Sequence, residues 1–167
     1  MIDKTLLKAT AAAYGVSLSD TALDRFDTYA EELVTWNEKI NLTAITEPDD
    51  IVLKHFVDSL VLLSKADLAK GASVLDVGTG AGFPGLALKI ARPDLDVTLL
   101  DSTGKKLDVI RDICEKLGFR TDDQAPADEL GIPNYGMDKE PVHLIHARAE
   151  EAGQDLRFRE RFDIVTS

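Results

Sequence analysis

The chain has 167 residues, room for one hydrophobic core, and its 44% hydrophobic content is that of an ordinary globular domain. No run approaches bilayer-spanning length, the first ten residues lack the apolar centre of a signal peptide, and a lone Cys114 excludes an internal disulfide, so the expected setting is cytoplasmic. With 19 basic against 30 acidic residues, the net charge of −11 disfavours a partner gripped mainly through its phosphates.

The N-terminal 70 residues read as a helical subdomain. Asp3 or Lys4 to Tyr14 predicts a short helix. After Gly15, Ser19 or Asp20 caps a longer one that sets Leu23, Phe26, Ala30, Leu33 and Ile40 near one face. Glu47-Pro48-Asp49-Asp50 opens a third helix, with proline and acids in the first turn, and it runs to about Leu63. Trp36 falls near an apolar face and reads as core rather than as a nucleobase stacker.

Residues 71–167 follow an α/β pattern. Val74, Leu75 and Val77 make a short strand that runs into Gly78-Thr79-Gly80-Ala81-Gly82, where missing side chains let a ligand press on the backbone. Pro84 suits a first helical position, and Leu86, Ala87, Leu88 and Ile90 carry that helix onward, its free N–H groups aimed at the ligand. A second strand, Asp96 to Leu100, ends at Asp101, nineteen residues after Gly82, about where an acid meets ribose hydroxyls in dinucleotide folds. Gly104 to Leu117 forms a helix with Leu107, Ile110, Cys114 and Leu117 on a buried face, closed by Gly118.

Residues 121–141, with three prolines and an acid excess, read as an exposed insertion. Val142 to His146 is a third strand and Phe162 to Thr166 a fourth. The sheet is open and mostly parallel, in the order 3-2-1-4, with its ligand beyond the strands' carboxyl ends. His143 and His146, three apart on a strand, face opposite sides, which argues against a metal site.

The glycine turn satisfies two patterns. Gly80-x-Gly82-x-x-Gly85 is a literal GxGxxG, which admits a nicotinamide or flavin dinucleotide. Asp76, two residues before Gly78, sets a negative charge near the ligand, which would repel a pyrophosphate and attract the sulfonium and ammonium of S-adenosylmethionine.

From Asp76 to Lys106 the sequence resembles the RsmG/GidB family of small-subunit ribosomal RNA methyltransferases. The family's GxGFPG turn stands here as Gly80 to Gly85, and its LLDSxxKK step as Leu99 to Lys106. Trp36-Asn37-Glu38-Lys39-Ile40-Asn41-Leu42-Thr43 is similar to its WNxxxNLT, and Lys54-His55-Phe56-Val57-Asp58-Ser59-Leu60 to its KHFxDSL. The resemblance implies a Rossmann-like class I methyltransferase sheet and transfer of a methyl group from S-adenosylmethionine to N7 of a guanosine in the 530 loop of 16S rRNA. It implies cofactor contacts at Gly78, Phe83, Asp101, Ala149 and Glu150, with Asp76, Gly80 and Ser102 as neighbours. Asn37, Asn41, Lys54, His55 and Asp58 would form a rim over the cofactor mouth. Catalysis would need no protein base, because N7 carries a lone pair and no proton.

Two departures from the family pattern follow. The insertion at 121–141 is longer than the link in relatives, and the fourth strand is not followed by the family's Ser-Arg-Ala and later strands, so the sheet is expected to be incomplete. Its fourth strand would be an open edge that invites self-association, and the chain could be a silent adenosine-binding remnant. The charge divides unevenly: residues 1–70 carry −5, residues 71–120 are neutral, and residues 121–167 carry −6. Lys89, Arg92, Lys105, Lys106, Arg111, Lys116 and Arg120 could form a local basic face for 16S rRNA, or be solvated helix surface. The acidic balance points to an assembled small ribosomal subunit as the partner.

Overall fold

A computed structural model describes residues 1–122 and 141–167; most of the 121–141 insertion therefore lies outside the described residues. The chain begins with α1 (Lys4–Ala13), whose first turn is capped by the Asp3 carboxylate accepting from the Thr5 and Leu6 N–H groups. The next helix, α2 (Asp20–Asn37), is capped by Ser19, which accepts from the Ala22 N–H at 3.1 Å. It stops short of Ile40 because the Asn37 side-chain carbonyl accepts from Leu42 and Thr43 N–H at 2.8 and 2.9 Å, folding the chain back on itself. A short α3 (Pro48–Asp50) continues through wider π-helical turns at Ile51–Val57 into α4 (Asp58–Lys65).

The sheet contains β1 (Ser73–Val77), β2 (Asp96–Asp101), β3 (Thr121–Asp122), β4 (Val142–His146) and β5 (Ile164–Thr166). The order is β3-β4-β2-β1-β5 and every pairing is parallel. The expected 3-2-1-4 order is therefore present as β4-β2-β1-β5, and the two-residue β3, too short for any periodic signal, adds an unforeseen strand beside β4. The order reverses at β1, whose second neighbour, β5, comes last in the chain. That reversal opens a crevice at the carboxyl ends of the strands.

Alternation along the strands divides the core into two unequal parts. Val74, Val97, Leu99, Val142 and Leu144 face a large apolar cluster shared with the N-terminal helices and with α5 (Gly85–Ala91) and α6 (Gly104–Lys116). Leu75, Leu100, Val77 and Ile145 face a smaller cluster with Ala152 of α7 (Ala149–Gln154), Phe158 and Phe162. One hydrophobic body thus runs from Ile2 to Leu144 across the helical layer and the sheet. Polar ties reinforce it: the Arg25 guanidinium donates to the Leu117 carbonyl at 2.9 Å and lies 4.3 Å from the centre of the Phe119 ring. Gly118 closes α6 as expected, with the Phe119 N–H donating to the Cys114 carbonyl at 2.8 Å. Cys114 is fully buried, and burial pushes its thiol up to about 12. Trp36 is half-buried against the core, as its position on α2 suggests. Among the described residues, no helix is long and apolar enough to cross a membrane.

The closest approach in the sheet layer is at Gly85, where α5 begins. A Cβ there would collide with the Leu99 side chain and lie 2.9 Å from both Cβ and Oδ2 of Asp76. Gly85→Ala should therefore cost ~1–3 kcal/mol by pushing α5 off the sheet. Gly153, inside α7 with open space around it, should accept alanine with a gain of up to ~1 kcal/mol. Urea denaturation of both variants tests this; a neutral Gly85→Ala would contradict the packing.

Candidate functional site

The site begins with the turn between β1 and α5, which carries three glycines in the left-handed region. Gly78, Gly80 and Gly82 have φ of 73°, 59° and 103°, a region where side chains with a Cβ are strained. Six N–H groups from Gly78 to Gly85 are bonded within the protein. Gly78 and Thr79 donate to the Leu100 carbonyl at 2.7 and 3.0 Å, and Gly82 and Phe83 donate to the Thr79 carbonyl at 2.8 and 3.0 Å. Gly80 donates to Asp101 Oδ2 and Gly85 to Asp76 Oδ2, both at 2.9 Å. Pro84 stands one residue ahead of α5 rather than at its first position.

Two carboxylates take the last two of these donors. Asp76 is fully buried beneath the turn: Oδ2 also accepts from the Thr79 hydroxyl at 2.6 Å, and Oδ1 from the Thr166 hydroxyl at 3.3 Å. Burial raises its pKa to about 6 against the pull of these hydrogen bonds. Asp101 is buried at the end of β2, where its second oxygen accepts from the Thr103 N–H at 2.8 Å. Both acids, expected beside the cofactor, hold the turn through its backbone N–H groups. From the other side the Tyr29 hydroxyl of α2 donates to the Ala81 carbonyl at 2.7 Å.

In front of the turn lies a cleft of about 380 Å³, lined by Val77, Gly78, Leu100, Ser102, Ala147, Arg148, Ala149 and Glu150. This falls within the ~300–1,000 Å³ of small-molecule sites. The ends of β1, β2 and β4 meet here, so Gly78, Ser102, Ala149 and Glu150, distant in sequence, share one wall. Phe83, Asp76, Asp101 and Gly80 are not among its lining residues. Phe83, partly buried, stacks with Tyr29 (ring centroids 5.2 Å apart) and with His55 (4.4 Å, 7° between planes). The sequence reading missed Val77, Leu100, Ala147 and Arg148, although each flanks a strand's carboxyl end and the strand pattern could have supplied them.

The five expected rim residues divide. His55 touches the turn through Phe83, with Nε2 2.8 Å from the Thr43 hydroxyl, and burial lowers its pKa despite the opposing pull of Asp58. Asn37 closes the loop that carries Thr43. Lys54 pairs with Asp50 at 2.9 Å on the exposed side of its helix, and Asn41 and Asp58 are exposed.

Four of the seven cations suggested as a basic face have partners within the protein. Lys89 is buried, donating to the Pro93 and Leu95 carbonyls at 2.9 and 2.6 Å. Arg92, Arg111 and Lys116 pair with Asp94, Asp108 and Glu32. A lysine in an apolar helix can reach carbonyls at the helix's own exit, which helical spacing alone does not reveal. His143 is buried with Nε2 3.1 Å from Asp96, whereas His146 points Nε2 at the Ser102 carbonyl, 3.0 Å away.

The Asp76 carboxyl has a measurable pH signature. With a folded pKa of about 6 against an ordinary 3.8, the folded chain holds this proton more tightly. Its contribution therefore favours folding at low pH, is lost as pH rises through about 6, and is gone above it. Asp76→Asn, which keeps the shape without the charge, should gain on the wild type by ~3 kcal/mol between acid and neutral pH. Urea titrations across that range test this; parallel curves would contradict it.

Comparison with known proteins gives a consistent family. Residues 22–125 match the model of the GidB family, described as rRNA small subunit methyltransferase G. Proteins named ribosomal RNA small subunit methyltransferase G are similar to nearly the whole chain. The one from Lactobacillus delbrueckii subsp. bulgaricus is 44% identical over 164 residues, 97% of this chain and 60% of the relative. Those from Desulfitobacterium hafniense and Streptococcus pyogenes are 42% and 44% identical, over 96% and 92% of this chain and 57% and 56% of their own lengths. The chain thus spans about three-fifths of the length of the curated relatives it matches. With a family match over most of its length and a parallel sheet whose carboxyl ends frame a glycine-bordered cleft, this chain belongs to the GidB family.

Proposed function

We propose that the cleft binds S-adenosylmethionine and that the chain serves an rRNA methyltransferase acting on N7 of a guanosine in the 530 loop of 16S rRNA. The observation that carries the ligand class is the spent state of the glycine turn. A dinucleotide site offers free backbone N–H groups to a pyrophosphate, whereas here carbonyls and two buried carboxylates take them. A site built over acids suits a cationic ligand better than an anionic one.

Gly78 presents side-chain-free backbone at the β1 edge of the cleft, and Ser102 and Glu150 supply polar groups at the β2 and β4 ends. We assign these, with Ala149, to the adenosine portion. Asp76, Asp101 and Gly80 hold the turn in shape, and Phe83 contributes through its packing. When bound, S-adenosylmethionine supplies an electrophilic methyl group. Guanosine N7 is a nucleophile without a proton, so the protein's task is alignment and electrostatic support rather than proton removal. Asn37, Asn41, Lys54, His55 and Asp58 are proposed as the substrate side of the mouth, and the reaction would take place in the cytoplasm.

The substrate form follows from charge. With a net charge of −11 and three cations of residues 71–120 paired to acids, the protein is poorly suited to hold protein-free RNA through phosphates alone. An assembled or partly assembled small ribosomal subunit, with proteins to contact, is the proposed substrate.

Calorimetry with S-adenosylhomocysteine should show binding, and titration with NAD should show none. Glu150→Ala should weaken the former about tenfold, equivalent to ~1.4 kcal/mol, with an unchanged melting temperature because the side chain is exposed. NAD binding without a response to S-adenosylhomocysteine would reverse the ligand assignment. For the substrate form, a full-length relative should methylate small subunits faster than naked 16S rRNA; equal rates would refute that reading.

A further inference from the structure

We propose that Tyr29 is a positioning residue for the ligand turn, and that through it the N-terminal helical layer senses whether the cleft is filled. This rests on the cofactor reading above. Tyr29 is fully buried in the middle of α2, yet its hydroxyl reaches the Ala81 carbonyl, 52 residues away in sequence. A phenylalanine would fill the same apolar space without a polar atom needing a partner; the hydroxyl's role is this bond. The contact is reciprocal in shape. A Cβ on Gly82 would lie 2.6 Å from the Tyr29 hydroxyl oxygen, so the backbone approaches the phenol only because that residue is glycine.

The ring itself extends the grip. It stacks on Phe83 at 5.2 Å and on Phe56 at 5.5 Å, and Phe83 in turn stacks on His55. Asp76 and Asp101 fix the same turn from the sheet side. The turn is thus clamped between two layers of the fold, and its cleft-facing edge at Gly78 has its conformation set by both. A ligand that rigidifies that edge through this clamp would rigidify α2 in turn, since coupling between two sites is mutual.

Tyr29→Phe tests this with three readings: affinity for S-adenosylhomocysteine by calorimetry, the melting temperature, and amide exchange in α2 with and without that ligand. The expected result is affinity weakened about tenfold. In the wild type the ligand should also slow exchange in α2, and in Tyr29→Phe it should not. Leu7→Val, a buried change on α1 in the same layer, serves as the matched destabilisation and should retain wild-type affinity. Wild-type affinity in Tyr29→Phe, or an equal loss in Leu7→Val, would overturn the positioning role alone. A wild-type protein that ignores S-adenosylhomocysteine would overturn the cofactor reading and this inference with it.

Discussion

The structure depends on how the turn after β1 satisfies its own backbone. A glycine-rich coil buried against a sheet exposes many N–H groups to a region without water, and each must find an acceptor. Here Asp76 and Asp101, from the same parts of β1 and β2 that define the turn, accept from Gly85, Gly80 and Thr103, while the Leu100 carbonyl takes Gly78 and Thr79. The solution has an electrostatic cost, visible in the raised pKa of Asp76, and an electrostatic consequence. Negative charge lies behind the site, so the front favours cations.

That internal satisfaction also explains why the helical layer and the sheet share one core. A turn held only from the sheet side would have a free outer edge. Tyr29, Phe83 and His55 close that edge with one hydrogen bond and two stacked contacts. The π-helical stretch at Ile51–Val57 carries His55 into the stack while Phe56 packs inward on Phe26 and Tyr29. Residues that resemble a substrate rim in sequence therefore divide by depth, with Asn37 and His55 shaping the turn's surroundings and Lys54, Asn41 and Asp58 remaining outside.

Regular elements were legible because their signals are local. Caps at Asp3 and Ser19, the short apolar runs of β1, β2 and β4, and the Gly118 stop each arise within a few residues. The candidate site was half legible. Gly78, Ser102, Ala149 and Glu150 share the cleft because strand carboxyl ends converge in any such sheet. The direction of a carboxylate is not local: Asp76 and Asp101 could face ligand or backbone, and the turn's wound path placed donors on the protein side. Lys89 illustrates the same limit, as its amine turned inward to carbonyls that only the chain's exit from α5 brings near.

By itself the sequence determined the alternation of strands and helices, the order of four of the five strands, the glycine turn and the family, since each follows from short-range pattern or from motifs read in order. Only the tertiary structure decided that Tyr29 grips the turn, that Phe83 stacks with Tyr29 and His55, and that the two acids serve the backbone. Those outcomes depend on which atoms come within hydrogen-bonding reach when segments 50 and more residues apart are packed together, as at Tyr29 and Ala81, and no local periodicity records that distance.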